Sequence, residues 1–196
     1  VMSPSPTLTS SGVIFASAGE IGDYPGGTEN VYTRSLVTNT TTLVSGARNT
    51  ISGGVSNVII GSFRDPAISA DGNMVAFDGG QVFVRDVRTS PNFAQLVSRG
   101  VNGQLGNGAS SRPSISNDGS VVAYQSSATN LSSLSDANGT FDVFVRNFNA
   151  GPTSALVSVD AAGAAGNAAS TLPVLSADGT FVAFEYTPCR SGLPSG

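Results

Sequence analysis

The amino-acid sequence predicts an all-β chain built of repeated, four-stranded antiparallel units. Three observations predict it. First, one segment recurs with the same order of residue types: PAISADGNMVAF at 66–77, PSISNDGSVVAY at 113–124 and PVLSADGTFVAF at 173–184. Second, apolar runs are four to six residues long, rich in β-branched and aromatic residues and bounded by turn residues, which is strand patterning. Third, these runs carry no polar face. Val121-Val122-Ala123-Tyr124 and Val143-Phe144-Val145 are apolar on both sides. A strand buried on both faces loses its alternation, as in the stacked sheets of a β-propeller, whereas a sandwich keeps it. The expected fold class is therefore all-β, a β-propeller of four-stranded antiparallel blades with about three and a half blades in this chain.

Each unit follows in order. The first spans 6–45 and opens with a worn copy of the repeat, Pro6 to Gly12, then Val13-Ile14-Phe15. Its third strand is expected at Asn30–Arg34 and its fourth at Thr42–Ser45, after a long loop from Ala16 to Glu29. Residues 46–65 read as an irregular, Gly-rich connection with an apolar Val58-Ile59-Ile60. The second unit, 66–98, is the tightest. Only Asp78-Gly79-Gly80 separates its second strand from Gln81–Asp86, a strong hairpin signal. The third, 113–158, adds strands at Asp142–Asn147 and Ala155–Ser158. A half unit, 173–184, is followed by a tail from 185 to 196. The marker prolines at 6, 66, 113 and 173 are spaced 60, 47 and 60 residues apart. The variation falls between second and third strands, where loops lengthen at little cost. Together the units form one partial propeller domain over 1–196.

On these residues the chain resembles the TolB-type propeller repeats of bacterial exported proteins. The pattern P-x-[IL]-S-x-D-G-x-x-V-A-[FY], then D-V-F-V-R and L-V-S, carries the resemblance from Pro6 to Phe184. It implies a protein-docking platform and an extracellular or periplasmic location, and it is silent on activity. Two departures stand out: Ser11-Gly12 replaces Asp-Gly in the first unit, and the last unit lacks its third and fourth strands. Propellers close into rings of four to eight blades. An open arc exposes apolar faces and strand edges. The chain is therefore expected to be a piece of a longer protein, or its copies associate as a dimer or a filament.

Composition excludes several functions. Net charge is −4, which disfavours a nucleic-acid partner. No segment reaches the roughly 18–20 apolar residues of a membrane helix. With no His and no Lys, Ser-His-Asp, Cys-His and Ser-Lys arrangements are impossible within the chain. The single cysteine, Cys189, makes no internal disulfide. The reading is a non-enzyme whose partners are its own copies or another protein. The alternative is a carbohydrate-binding or carbohydrate-active propeller, with Glu20, Asp23, Glu29 and Glu185 as its acidic candidates. Asp71-Gly72, Asp118-Gly119 and Asp178-Gly179 are read as turns, in which Asp caps its own turn and Gly takes positive φ. Arg34, Arg85 and Arg146 share one repeat position and are read as packing or ion-pair residues. Asn39, Asn130 and Asn138 open glycosylation-type triplets.

The metal candidate is the loop Asp136-Ala-Asn138-Gly139-Thr-Phe-Asp142. Oxygen side chains at alternate positions, a turn glycine and a further carboxylate suit a hard cation such as Ca²⁺. The loop also resembles Asp-x-Asn-Gly loops before the third strand of related repeats, where calcium can sit. Asp136, Asn138 and Asp142 are the expected ligands, completed by backbone carbonyls and water.

Overall fold

The structure is a computed structural model that describes residues 7–8, 12–17, 29–45, 50–51, 55–56, 62–88, 94–136 and 138–188. Cys189, Glu20, Asp23 and Val58–Ile60 lie outside them. The described residues contain strands and turns and no helix.

Three four-stranded antiparallel sheets follow one another. The first has β1 (Thr7–Leu8), β2 (Gly12–Ser17), β3 (Asn30–Ser35) and β4 (Thr41–Leu43), in that order. A small hairpin, β5 (Thr50–Ile51) and β6 (Val55–Ser56), falls in the connection read as irregular. The second sheet runs β7 (Arg64–Ile68), β8 (Met74–Asp78), β9 (Val82–Asp86) and β10 (Gln95–Leu96). The third runs β11 (Ser110–Ile115), β12 (Val121–Ser126), β13 (Asp142–Asn147) and β14 (Ala155–Leu156). A two-stranded sheet, β15 (Ala169–Leu175) and β16 (Val182–Thr187), ends the described chain. Glu185, Tyr186 and Thr187 thus belong to a strand, because their backbone pairs with Ala169–Thr171, and not to the tail expected from 185.

First strands also start earlier than their prolines suggest. β11 and β15 begin at Ser110 and Ala169, and pairing breaks register between Ser111 and Ser114 and between Thr171 and Val174. Proline has no N–H for the ladder, so the strand crosses it through a bulge. The residues before Pro66, Pro113 and Pro173 take the left-handed region: Asp65 at φ 47°, Arg112 and Leu172 at 55°. Non-glycine residues rarely adopt it.

The sheets stack through their first strands: β7 lies on β2, β11 on β7 and β8, and β15 on β11 and β12. The core lies between them. Val122, Tyr124, Phe144 and Leu156 pack with Ala76, Val82 and Val84 of the preceding sheet. Phe77 and Phe83 stack at 5.8 Å and join Ile14, Val31 and Val44 of the first sheet. This is why the strands lack a polar face.

The Asp-Gly turns behave as read. Ser116 Oγ donates to Asp118 Oδ1 (2.6 Å), Ser120 N–H to the same oxygen (3.0 Å), and Val121 N–H to Ser116 Oγ (3.0 Å). Ser69/Asp71 and Ser176/Asp178 repeat the set. The turns also join neighbouring sheets. Ala70 N–H donates to Asn117 O (2.9 Å), and Asn117 N–H donates to Ala177 O (2.8 Å). Gly119, at φ 74°, sits against Met74 so closely that a Cβ would lie 2.5 Å from its Cγ. Gly119→Ala therefore combines left-handed strain with an inter-sheet clash. It is expected to cost about 2–4 kcal/mol in chemical denaturation. Gly139→Ala, at φ 70° with nothing near the new Cβ, should cost only about 1 kcal/mol.

Candidate functional site

The expected metal loop enters β13 at a position that repeats in every four-stranded sheet. There the serine after the fourth strand accepts a backbone N–H of the third strand: Val31 to Ser45 (2.9 Å), Val82 to Ser98 (3.0 Å), Val143 to Ser158 (3.0 Å). The same hydroxyl donates to the residue that opens that strand: Ser45 to Asn30 Oδ1 (3.0 Å), Ser98 to Gln81 Oε1 (2.7 Å), Ser158 to Asp142 Oδ1 (2.8 Å). Asp142 is thus first a framework acceptor.

What differs is the other half of that side chain. Gln81 turns its amide N–H to the carbonyls of Gly108 (2.9 Å) and Gly106 (3.3 Å), holding the next connection. Asp142 has no donor to give. Asn138 supplies one: its Nδ2 donates to Gly166 O (2.9 Å) and to Asp142 Oδ2 (2.6 Å). Its Oδ1 caps Thr140 N–H (2.8 Å) and Thr140 Oγ1 (2.9 Å). Asp136 accepts Asn138 N–H (3.3 Å), and its carboxyl lies beside that of Asp142. Burial raises the Asp142 pKa, and the Asp136 carboxyl adds to the rise. The structure therefore brings all three predicted ligands together beside Gly166 O, with Asp142 and Asp136 both buried.

Two of the three arginines at the shared position, Arg85 and Arg146, donate to backbone carbonyls. Arg85 Nη1 donates to Val44 O and, at 3.3 Å, to Leu43 O, which ties the second sheet to the first. Arg146 Nη1 donates to Pro152 O and its guanidinium lies 5.5 Å from the Phe148 ring centre. Arg34 donates to Thr41 Oγ1 (2.9 Å) and Asn39 Oδ1.

A second acidic pair escaped the sequence reading. Asp78 is buried at the end of β8, beside Asp65, which pairs with Arg112 at 3.3 Å. Burial first, then the Asp65 charge, raises Asp78 to about 7. The signal was hidden because Asp78 reads as a turn residue. The folded protein holds this proton up to about pH 7, while the unfolded chain releases it near 3.8, the ordinary aspartate value. Stability from this group therefore falls as pH rises from 4 to 7. Asp118 and Asp178 have the opposite sign: hydrogen bonds from Ser116 and Ser176 lower them to about 2, so their contribution is lost as pH falls below 4. Thermal melting should show Tm falling between pH 5 and 8 by on the order of 5 °C, at about 2–4 °C per kcal/mol. Asp78→Asn should flatten that slope.

The last sheet is open. Phe181 is 76% exposed and Val174 62%, with Leu172, Phe184 and Tyr186 also exposed. Their counterparts in the third sheet, Val121 and Tyr124, are 5% and 0% exposed. A cleft of about 440 Å³ beside Phe184 and Tyr186 is bounded by Asp160, Asn167 and Ser170. Ser170 Oγ is buried there without a partner, because Tyr186 faces it where Ser126 answers Ser110 (2.8 Å). Of the acidic residues named for glycan chemistry, Glu29 lies 3.7 Å from Arg64 and Glu185 stands on this open sheet.

No protein-family model matches the chain, and no curated protein matches it in sequence. In structure it is similar to TolB from Acinetobacter baumannii (TM-score 0.55, 17% identity), the match covering 95% of this chain and 38% of that one. It is similar to a TolB-type protein from Agrobacterium tumefaciens (TM-score 0.50, 13% identity), covering 96% and 61%. It is also similar to a chain from a study of two prolyl endopeptidases and the role of inter-domain dynamics in their catalysis and specificity (TM-score 0.52, 12% identity), covering 93% and 25%. This chain thus spans less than two thirds of each. At these identities the likeness is one of fold, the TolB-like β-propeller predicted from the repeat.

Proposed function

We propose that this chain is a non-catalytic propeller module, about three and a half blades long, of an extracellular or periplasmic protein. It binds a protein surface, either a copy of itself or a second protein, through its open end. The observation that carries this reading is the exposed apolar side of β15 and β16, whose counterparts elsewhere in the repeat are covered by the next sheet. An apolar patch of this kind marks a contact surface. The similarity to TolB structures supports a fold used for protein contact, and the absence of His and Lys from the chain supports a role without nucleophile-base catalysis.

Side-chain footprinting tests the reading. In dilute protein, Phe181 and Tyr186 should be labelled about as fully as their exposure implies, many-fold more than Tyr124, and should become protected when a partner binds. Phe181 and Tyr186 as protected as Tyr124 in dilute, monomeric protein would mean that the chain covers its own end, and the reading falls.

We propose also that Asp136, Asn138 and Asp142 hold Ca²⁺. Two buried carboxylates side by side need a proton or a cation between them. Rotation of the Asn138 amide would present its oxygen to the site, and Gly166 O stands next to it. Water would complete the six to eight oxygens. Calcium at about 100 times its Kd should raise Tm by about 5 °C or more. A chelator should reverse the gain, and Asp136→Ala should abolish it. Melting curves indifferent to calcium and chelator would remove the metal and leave Asn138 as the framework donor.

A further inference from the structure

Three Asn-x-Thr/Ser triplets stand in the sequence, at Asn39, Asn130 and Asn138, and the fold treats them differently. At Asn130 and Asn138 the amide is consumed. Asn130 Oδ1 accepts Asn107 N–H (2.9 Å) and its Nδ2 donates to Leu105 O (3.0 Å), which pins the loop after β12 to the connection after β10. Asn138 Nδ2 donates to Gly166 O and Asp142 Oδ2, and its Oδ1 holds the hydroxyl of Thr140, the last residue of its own triplet. Freeing either amide breaks bonds between segments 25 and 28 residues apart.

Asn39 is held differently. It lies in the exposed turn between β3 and β4, at φ 59°. Its Oδ1 accepts Arg34 Nη2, and its Nδ2 meets no acceptor among the described residues. Arg34 Nη1 donates to Thr41 Oγ1 (2.9 Å), the hydroxyl of the same triplet. One guanidinium thus clasps both ends of the triplet and leaves the amide nitrogen to solvent. The turn is closed by short-range bonds, Ser35 N–H to Thr40 O (2.9 Å) and Thr38 N–H to Ser35 Oγ (3.1 Å). β4 is three residues long and lies at the edge of its sheet, so the triplet is drawn out as an extended segment at small cost. Leu36 and Val37 stand in the same turn, 55% and 78% exposed.

We propose that Asn39 carries an N-linked glycan and that Asn130 and Asn138 do not. The donor is an oligosaccharide on a polyprenyl diphosphate. Asn39 Nδ2 gives up a proton and bonds to the anomeric carbon of the sugar; the bond from that carbon to the phosphate oxygen breaks, and the lipid diphosphate leaves. A transferase must hold the triplet extended and bind the Thr41 hydroxyl, so Arg34 first releases both groups. A bulky, solvated glycan at this turn covers Leu36 and Val37, which no neighbouring sheet covers. Glycan transfer requires the extracellular or periplasmic location proposed above and no other part of that reading.

The folded full chain, incubated with a single-subunit oligosaccharyltransferase and a short lipid-linked oligosaccharide, tests the site. Free peptides spanning 34–44, 125–135 and 133–143 are the controls, since each contains one whole triplet. Mass spectrometry of proteolytic fragments reads the occupancy of each asparagine. In the folded chain Asn39 should react within about fivefold of its peptide, and Asn130 and Asn138 at least about fiftyfold more slowly than theirs, because a held segment waits for local opening. Arg34→Gln should bring Asn39 to its peptide rate without raising Asn130 or Asn138, whose silence reports an intact fold. Thr41→Val should abolish transfer to Asn39. On the modified protein, labelling of Leu36 and Val37 should fall while Phe181 and Tyr186 stay labelled, which separates this site from the protein-contact surface. A folded chain left unmodified at Asn39 while its peptide is modified would overturn the site. Equal modification of all three asparagines would overturn the selection by the fold, and an unchanged rate in Arg34→Gln would overturn the clasp.

Discussion

Sheet-to-sheet registration depends on the backbone bond between successive Ser-x-Asp-Gly turns. Ala70, Asn117 and Ala177 form a short ladder running across the sheets, at right angles to the ladders within them. Such a bond forms only if the turns approach closely, and close approach requires glycine where a side chain would strike Met74 or Val121. The aspartate holds each turn in shape through its serine and the backbone beyond it. The repeated turn carboxylates therefore serve geometry, and the lowered pKa values of Asp118 and Asp178 report those bonds.

The same economy governs the other end of the strands. Every third strand opens with a residue that accepts from a serine, and a donor must then hold the next connection. Glutamine serves both needs at position 81. Aspartate at 142 serves one, and Asn138 from the longer loop serves the other. The loop that reads as a cation site is thus also a repair of the framework. The proposed Ca²⁺ would answer the same demand as the Asn138 amide, which is positive charge or a donor beside two buried carboxylates.

Among the described residues the two buried arginines are held by backbone. Arg85 and Arg146 sit under other chain segments with carbonyls as their partners. Asp78 is neutralised instead, with Asp65 and Arg112 beside it. These arrangements fasten one sheet to the next. Among the described residues nothing covers the last sheet, and its exposed Phe181 and Glu185 are ordinary repeat residues, not residues of a distinct composition.

Local chemistry explains what the sequence by itself determined. The repeat, the strands apolar on both faces and the Ser-x-Asp-Gly turns follow from residues within about five positions of one another, so the all-β class, the turn roles and most strands were legible. The grouping of Asp136, Asn138 and Asp142 was legible for the same reason. Tertiary structure decided the rest, because the partners lie far apart in the chain. Gln81 meets Gly106 and Gly108, Leu172 meets Gln125 and Arg85 meets Val44, and no pattern within a single unit predicts these bonds. The bulge before each proline, the extension of β16 through Thr187 and the raised pKa of Asp78 likewise depend on which strand lies alongside. Which face stays open depends on stacking as well: Phe181 and Val121 occupy one repeat position, and only the presence or absence of a covering sheet separates 76% exposure from 5%.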